Sequence, residues 1–382
     1  MYKKKIVFLS NHAAFFYSHR INLFFEAKER GFDFHLIFGS GSSKIMEKNA
    51  IKNIKKLKMQ NSFYNFNANY SLIKNITALI KIFIFITKHK PDILHSASPI
   101  ANFFATIIAI FYSKTKLVLS VSGMGYLYTN KLTIVERLKK KIIEFFFFCF
   151  LHKIRNKVII VQNKDDYIYF NKSLKINFKQ IFLIKGGSGV NLRYFKKIKI
   201  IKNNKNVLMI SRVVKSKGIY EYLEAAKVLK KKYPDWSFNL AGSLDYSTPD
   251  QIDLNYFNNF LKKKIINYLG FVEDPLKLYQ NAEIFCLPSY REGMPKTVLE
   301  ASAVGLPVVT TNTVGCKESI VTNKNGLLCE KKNFKDLFNK IEILIKDRKL
   351  RNKMKIFSKK YAFKHYTVNK VTNTIFSLYE KQ

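Results

Sequence analysis

The sequence predicts an α/β protein made of two doubly wound, Rossmann-like parallel-sheet domains. Three observations carry this. The chain has 382 residues, more than one ordinary core encloses, so two domains are expected. Short apolar runs alternate with stretches whose apolar residues fall at helical spacing, the pattern of a parallel sheet covered on both faces. The pattern also starts twice, at Lys5–Ser10 (KIVFLS) and at Asn206–Arg212 (NVLMISR), on either side of the Lys/Asn-rich stretch Asn191–Lys205.

In the first half, KIVFLS reads as a buried strand followed by a loop, Asn11–Arg20, and a helix over His19–Arg30 that Gly31 stops. FDFHLIFG is a second strand and Asn53–Lys58 a weaker third. Leu72–His89 is a helix, and Pro91 and Asp92 open the strand DILHSAS. Helices over Ile100–Tyr112 and from Thr133 flank the strand KLVLSVSG. KVIIVQN and QIFLIKGGSGV close the half, with a short helix near Asp165–Phe170 between them. In the second half, strands NVLMISR, SFNLAGS, IINYLGF, IFCLPS and VVTT alternate with helices over Gly218–Tyr233, Asp274–Gln280 and Lys296–Ala303. A hairpin-like NKNGLLCE, a helix over Phe334–Lys346 and a basic helical tail from Leu350 finish the chain. The expected division is residues 1–190, 191–360 and a terminal helical segment 361–382.

The formal charge is +41. A surplus of this size suits a polyanion or an anionic membrane surface, and a coding bias toward Lys, Asn, Ile and Phe would also produce it. Cys149, Cys286, Cys316 and Cys329 show no C-x-x-C spacing, so neither a metal knuckle nor a disulfide framework is expected. No signal peptide is read at the N-terminus, and a reducing cytoplasm is expected. The apolar runs Ile100–Tyr112 and Ile142–Leu151 fall short of the roughly 20 residues a membrane span needs. Arg137 and Lys139–Lys141 precede a Phe cluster, which suits either a helix lying on anionic lipid or a core helix with a solvated basic end. No nucleic-acid motif with aromatic stacking positions is present, and no nucleic-acid partner is expected.

The most informative stretch is Ser289–Val309, SYREGMPKTVLEASAVGLPVV. It reads as a strand end, a Gly/Pro loop, a helix and a second strand. A loop feeding a helix N-terminus at the carboxyl end of a strand is a natural anion site, because the first helical N–H groups are unpaired and the dipole favours negative charge. Glu292 lies in the loop and Glu300 in the helix, so the two acids face different parts of one ligand. Arg212 and Lys217 in SRVVKSKG follow another strand end, where two cations suit a diphosphate leaving group. Gly186, Gly187 and Gly189 around Ser188 let backbone come close to phosphate or sugar. No D-x-D pair suited to a metal–diphosphate clamp is found, so no metal is expected.

These strings, taken together, resemble the retaining glycosyltransferases of family 4. Ser289–Val309 resembles the family's donor-binding E-x7-E segment, and the resemblance implies that Glu292 touches the transferred sugar while Glu300 holds the nucleotide ribose. Gly293, Met294, Pro295, Lys296 and Thr297 would orient the donor from the loop and the first helical turn. SRVVKSKG resembles the family's R-x4-K-G motif, which implies that Arg212 and Lys217 hold the diphosphate. KGGSGVNLRYF resembles the G-S-G-V-D segment with Asn191 in the Asp position, and implies donor contacts from Gly187, Ser188 and Gly189. LGFVEDP resembles the base-contacting segment and adds Phe271.

In the first half, NHAAFFYSHR resembles the F-F-x-S-H-R segment of a branch that builds bacterial surface polysaccharides and lipid-linked glycans. His19 and Arg20 are candidates for the acceptor or the donor phosphate. Ala13 and Ala14 stand where many members carry paired glycines. SVSGMGYLYT resembles the branch's V-x-G-x-G-Y/F segment, with Gly123 and Gly125 allowing close approach to a ligand. His95 lies at a strand end and reads either as a cleft residue or as a buried, satisfied histidine.

The resemblance implies a GT-B fold, two Rossmann-like domains facing across a cleft, with the final helix crossing back onto the first domain. It implies a retaining transfer from a nucleotide diphosphate sugar, in the first place a UDP-sugar, to a polyprenyl-diphosphate-linked saccharide. The enzyme would be cytoplasmic and peripheral on the inner face of the membrane. A UDP-sugar 2-epimerase of the same fold and a basic binding module without enzymatic activity are the alternatives.

Overall fold

The computed structural model describes residues 3–41, 44–67, 70–128, 132–196, 201, 204–245 and 248–381. The chain forms two compact units, Met1–Ile184 with Val371–Gln382, and Lys185–Lys370. Part of the Asn191–Lys205 linker, residues 197–200 and 202–203, lies outside the described residues.

The first unit runs β1 (Lys5–Ser10), α1 (Ala13–His19), α2 (Ile21–Glu29), β2 (Asp33–Phe38), α3 (Lys44–Lys56), β3 (Gln60–Phe63), α4 (Leu72–His89), β4 (Ile93–Ala97), α5 (Pro99–Phe111), β5 (Lys116–Val121), α6 (Ile134–Lys153), β6 (Lys157–Val161), α7 (Lys164–Ile168) and β7 (Ile181–Leu183). Its sheet has the order β3-β2-β1-β4-β5-β6-β7, with every pair parallel. Strands β1, β4, β5 and β6 are buried on both faces, which is why they read as unbroken apolar runs. Residues of α1, α2 and α3 pack into the core on one face; residues of α4, α5 and α6 pack into the core on the other.

The second unit runs α8 (Leu192–Lys196), β8 (Asn206–Ile210), α9 (Ile219–Lys232), β9 (Ser237–Ala241), α10 (Leu254–Lys262), β10 (Asn267–Tyr268), α11 (Leu276–Gln280), β11 (Ile284–Leu287), α12 (Lys296–Val304), β12 (Val308–Thr311), β13 (Gly326–Cys329), α13 (Phe334–Lys346) and α14 (Arg348–His365). Its parallel sheet has the order β10-β9-β8-β11-β12-β13. The last helix, α15 (Val368–Glu380), buries Val371, Ile375, Phe376 and Tyr379 in the first unit's core beside β1 and β4. In each sheet the strand order reverses between two neighbours, β1/β4 and β8/β11, and the crevice outside their carboxyl ends is where such sheets take ligands.

Three local expectations are corrected. Asn53–Lys58 is not a strand; most of it is the end of α3, because Met46, Ala50 and Ile54 recur every four residues and pack toward the core. The third strand is Gln60–Phe63 instead. Asn11–Arg20 is not all loop. Ala13–His19 is helical, capped by His12, whose Nδ1 accepts from Phe15 N at 3.1 Å, and Arg20 (φ −131°, ψ −1°) breaks it from α2. NKNGLLCE is not a hairpin; β13 follows a turn and runs parallel to β12.

Among the described residues, no helix is long and apolar enough to cross a membrane. Helix α4 nevertheless exposes Leu72, Ile73, Ile76, Ile80 and Ile84, and α6 exposes Ile134, Val135, Leu138, Ile142 and Phe145.

Candidate active site

Beyond β8 the chain makes a short 3-10 turn, Lys215–Lys217, and enters α9 through Gly218. Gly218 has φ +75°, and a Cβ there would lie 2.2 Å from the carbonyl oxygen of Pro288, just past β11. Only glycine lets this turn come so close to the neighbouring strand end. Val213 and Val214 are buried and anchor the turn. Asp250 holds it from the other side, accepting from Ser216 N at 3.1 Å and from the Ser216 hydroxyl. The result is that Lys217 stands at the β8/β11 switch point, while Arg212 stays largely exposed with Nη1 3.2 Å from Asp245 Oδ2.

The loop after β11 is pinned by one carbonyl. Ser289 O accepts from the Thr311 hydroxyl, from Thr313 Oγ1 at 3.2 Å and from Cys316 Sγ at 3.7 Å. Glu292 N donates to Val314 O at 2.9 Å. Gly315 (φ +78°) lies so close beneath that a Cβ would be 2.2 Å from Glu292 O. Held this way, the Glu292 carboxylate accepts a hydrogen bond from the Lys217 ammonium, both side chains being largely buried. Gly293, Met294 and Pro295 are buried, and Lys296 and Thr297 form the half-buried first turn of α12. Pro295, the N-cap residue of α12, makes no side-chain capping hydrogen bond.

Glu300, a turn further on, has Oε2 3.0 Å from the hydroxyl of the fully buried Tyr279 and Oε1 3.5 Å from Lys296 Nζ. Gly187 (φ +61°) approaches Met294 so that a Cβ would lie 3.0 Å from the Met294 Cβ, which brings the glycine segment against the Glu292 loop. Ser188 is buried, and Gly189 (φ +74°) packs on the Val368 backbone. Phe271 is exposed, next to Gly270, whose carbonyl accepts from Gly242 N at 2.7 Å. The structure therefore brings Lys217, Glu292, Gly187, Met294 and the first turn of α12 together at one strand-end edge.

The surrounding field is set by burial. Tyr279 is pushed well up by desolvation and by Glu300, so it stays a neutral donor to that carboxylate. Burial, with Glu292 nearby, pushes the Cys316 thiol up to about 11, and burial pushes Cys329 up to about 12. Both remain protonated and unreactive at neutral pH. All four cysteines are free. Among the described residues, no group of three His, Cys, Asp or Glu side chains is placed to hold a metal ion.

In the first unit, His19 ends α1, stacks on Phe15 at 5.0 Å and has Nδ1 2.7 Å from Ser18 Oγ. Gly123, with φ +129°, is half-buried just past β5. Arg20 is 4 % exposed and donates from Nη2 to Ser122 Oγ at 3.0 Å. His95 is fully buried, its Nε2 2.7 Å from Ser120 Oγ and its Nδ1 2.5 Å from the Tyr379 hydroxyl. Both ring nitrogens are thus engaged inside the protein, the arrangement of a satisfied core histidine. The N–H groups of Ala13 and Ala14 donate to the two oxygens of Glu47, at 3.0 and 3.1 Å, so a carboxylate of the chain occupies the start of α1.

Sequence reasoning missed the residues that hold others in place: Asp245, Asp250, Tyr279, Gly315, Glu47 and Tyr379. Gly315, two residues past the Thr311–Thr313 strand end, carried a turn signal; the others act through partners 21 to 284 positions away, which no local pattern reports.

The chain matches two protein-family models, "Glycosyl transferase 4-like" over residues 5–163 and "Glycosyl transferases group 1" over residues 191–361. It is 26 % identical over 344 residues to the capsular polysaccharide biosynthesis glycosyltransferase CapM of Staphylococcus aureus, spanning 85 % of this chain and 83 % of the relative. It is 39 % identical over 188 residues to the N,N'-diacetylbacillosaminyl-diphospho-undecaprenol alpha-1,3-N-acetylgalactosaminyltransferase of Campylobacter jejuni, spanning 49 % of this chain and 48 % of the relative. The fold superposes on Anabaena HepE, solved in complex with UDP and glucose, with TM-score 0.77 and 15 % identity, covering 99 % of this chain and all of that one. Fold and sequence together define a GT-B glycosyltransferase. The chain belongs to the family 4 type, with a 4-like first domain and a group 1 second domain.

Proposed function

We propose that the second unit binds a nucleotide diphosphate sugar, in the first place a UDP-sugar. The enzyme then transfers the sugar, with retained anomeric configuration, to a hydroxyl of a polyprenyl-diphosphate-linked saccharide in bacterial surface glycan synthesis. The carrying observation is the ion pair of Lys217 and Glu292 beside the N-terminus of α12. An ammonium has three N–H donors and Lys217 uses one on Glu292, which leaves capacity for phosphate oxygens. Arg212, exposed on the same turn, adds a second cation, and together they neutralise the diphosphate as it departs. No metal is then required for that charge. Glu300, oriented by Tyr279, holds the ribose, and Glu292 with the loop Gly293–Thr297 orients the sugar.

In the transfer, the bond from the anomeric carbon to the diphosphate oxygen breaks and the bond to the acceptor oxygen forms on the same face of the sugar. The acceptor's proton passes to the leaving phosphate. The diphospho-undecaprenol in the name of the Campylobacter relative supports the acceptor class, and the UDP of the Anabaena structure supports the donor.

The exposed apolar residues of α4 and α6, interleaved with Lys74, Lys81, Arg137 and Lys139–Lys141, support docking on the cytoplasmic face of an anionic membrane. The test combines calorimetric titration with UDP, in the presence and absence of EDTA, and transfer from labelled UDP-sugars to lipid-linked saccharides with the product anomer read by NMR. Micromolar-range binding that survives EDTA and is lost in Arg212→Ala is expected, as is a retained anomer. An inverted product, or turnover of UDP-sugar without any acceptor, would overturn the reading. Co-sedimentation with anionic and with neutral vesicles checks the membrane surface, and equal binding to both would remove the electrostatic part.

A further inference from the structure

Among the described residues, Arg20 is a buried cation without a counter-ion. It is 4 % exposed; among the described residues its Nε has no hydrogen-bond partner, and the one hydrogen bond of its guanidinium is to the Ser122 hydroxyl at 3.0 Å. No carboxylate of the described residues pairs with it. Around it lie neutral groups: Tyr379, buried in α15, and His95, held neutral by burial and by Arg20 itself. Burial draws the guanidinium down only to about 10, so it keeps its charge at physiological pH. Burying an ion without a partner is among the costliest arrangements in a folded chain, and the usual remedies are a partner charge or a bound ligand.

The place matters as much as the charge. β4 lies between β1 and β5, with Ser10 opposite Ala97 and Ala97 opposite Ser120. Arg20 follows the helix after β1 and reaches Ser122, one residue past β5. Its guanidinium therefore serves the carboxyl edge of β1, β4 and β5, the switch point of this sheet, where ligands of such folds bind. Two further buried polar atoms without partners among the described residues lie at the same edge: Asn11 Oδ1, one residue past β1, and Ser98 Oγ, one residue past β4. The edge opens at Ser122–Gly125, where Gly125 is exposed and a Cβ there would meet nothing among the described residues within 4 Å.

We infer that Arg20 and Ser122 form a phosphate-binding site of the first unit, distinct from the residues proposed for the donor, and that it takes a phosphoryl group of the diphosphate-linked acceptor. A guanidinium beside a hydroxyl matches phosphate, offering planar paired donors and a third, rotatable one. The acceptor assignment rests on the proposed function; the phosphate site itself does not.

The test uses the full chain. The protein, saturated with UDP, is titrated with inorganic pyrophosphate and with farnesyl diphosphate as a short polyprenyl diphosphate. Wild type, Arg20→Met and Ser122→Ala are compared. Both probes are expected to bind wild type in the presence of UDP, tenfold or more weakly in Arg20→Met and several-fold more weakly in Ser122→Ala, with UDP affinity within twofold throughout. Acceptor KM should rise in both variants at unchanged donor KM. Melting of the ligand-free proteins separates structure from binding, since Arg20→Met removes an uncompensated charge and is expected to melt no lower than wild type. If Arg20→Met fails to fold, the half-buried Ser122→Ala still decides. Binding of both probes unchanged in the variants overturns the site. Competition of UDP with pyrophosphate at Arg20 assigns the phosphate to the donor and overturns the acceptor role. If wild type binds no UDP yet binds pyrophosphate through Arg20, the donor reading of the second unit fails while this site stands.

Discussion

The Lys217 ammonium donates a hydrogen bond to the Glu292 carboxylate, joining the turn after β8 to the loop after β11. The residues are 75 positions apart, and the contact puts a cation and an acid of different proposed roles side by side. Lys217→Ala is expected to lower kcat by about 10²–10³-fold, the range for removing a preorganised group that meets developing charge. Glu292→Gln should leave UDP affinity nearly intact while raising the KM for the UDP-sugar. Calorimetry with UDP and steady-state rates with the sugar nucleotide separate the two. A Glu292→Gln protein that loses UDP binding as severely as Lys217→Ala would remove this division of labour.

Tyr279 supports Glu300 from inside the core. Tyr279→Phe keeps the ring and deletes one hydrogen bond to a charged group, worth about 1.5–3 kcal/mol. The expected result is UDP affinity reduced by about tenfold, with a melting temperature lowered by several degrees. Equal affinity in Tyr279→Phe and wild type would show that Glu300 does not depend on that anchor.

Two glycines of similar φ separate backbone strain from crowding. Gly31 (φ +75°) has nothing within 4 Å of an added Cβ, whereas at Gly315 (φ +78°) the Cβ would strike Glu292 O. Gly31→Ala should cost only the left-handed backbone penalty, about 1 kcal/mol, and leave turnover intact. Gly315→Ala should also shift the Glu292 loop and cut turnover tenfold or more. Thermal melts and rates of the two variants, side by side, check this. Similar turnover in both would mean the loop tolerates the displacement.

His95 makes stability depend on pH. Its pKa is held well below the ordinary value by burial first and by the Arg20 charge second. The folded protein therefore prefers neutral His95, and the unfolded chain binds the extra proton below its ordinary value near 6.5. Stability from this group is fully present above that pH and is lost as pH falls, with a slope of up to about 1.4 kcal/mol per pH unit. Burial also lowers His35 and His365, in the same direction. Denaturant melts between pH 7.5 and 5.5 should thus show a shallower pH slope for His95→Gln than for wild type. Identical slopes would mean that His95 takes up its proton in the folded state.

The parallel sheets were legible because a strand buried on both faces must be apolar at every position, as in β4, β5 and β11. Helix limits were legible where caps are strong. Thr133 and Glu136 form a reciprocal capping box at the start of α6, and Gly305 takes the left-handed position that ends α12. Reading failed where signals compete. The segment before β3 has Met46, Ala50 and Ile54 on one helical face, but Asn53–Lys58 by itself has only Ile54 and Leu57 apolar, too few to fix a period. At α1 the residues His12, Ala13 and Ala14 resemble a loop until Glu47, 33 positions beyond Ala14, takes the Ala13 and Ala14 N–H groups that the His12 cap leaves over.

What the sequence determined by itself is the set of chemical groups and the local backbone around each: two parallel-sheet domains, the glutamate-bearing loop and helix, the Arg212–Gly218 turn and the glycine segment. These follow from periodicity, caps and turn residues, which act over a few positions. Only the tertiary structure decided which groups meet. It paired Lys217 with Glu292, set Tyr279 under Glu300, closed the start of α1 with Glu47, and left Arg20 buried beside Ser122, His95 and Tyr379 without an opposing charge among the described residues. The reason is that electrostatic and hydrogen-bond energies depend on distance and burial in space, and neither is encoded in the spacing of residues along the chain.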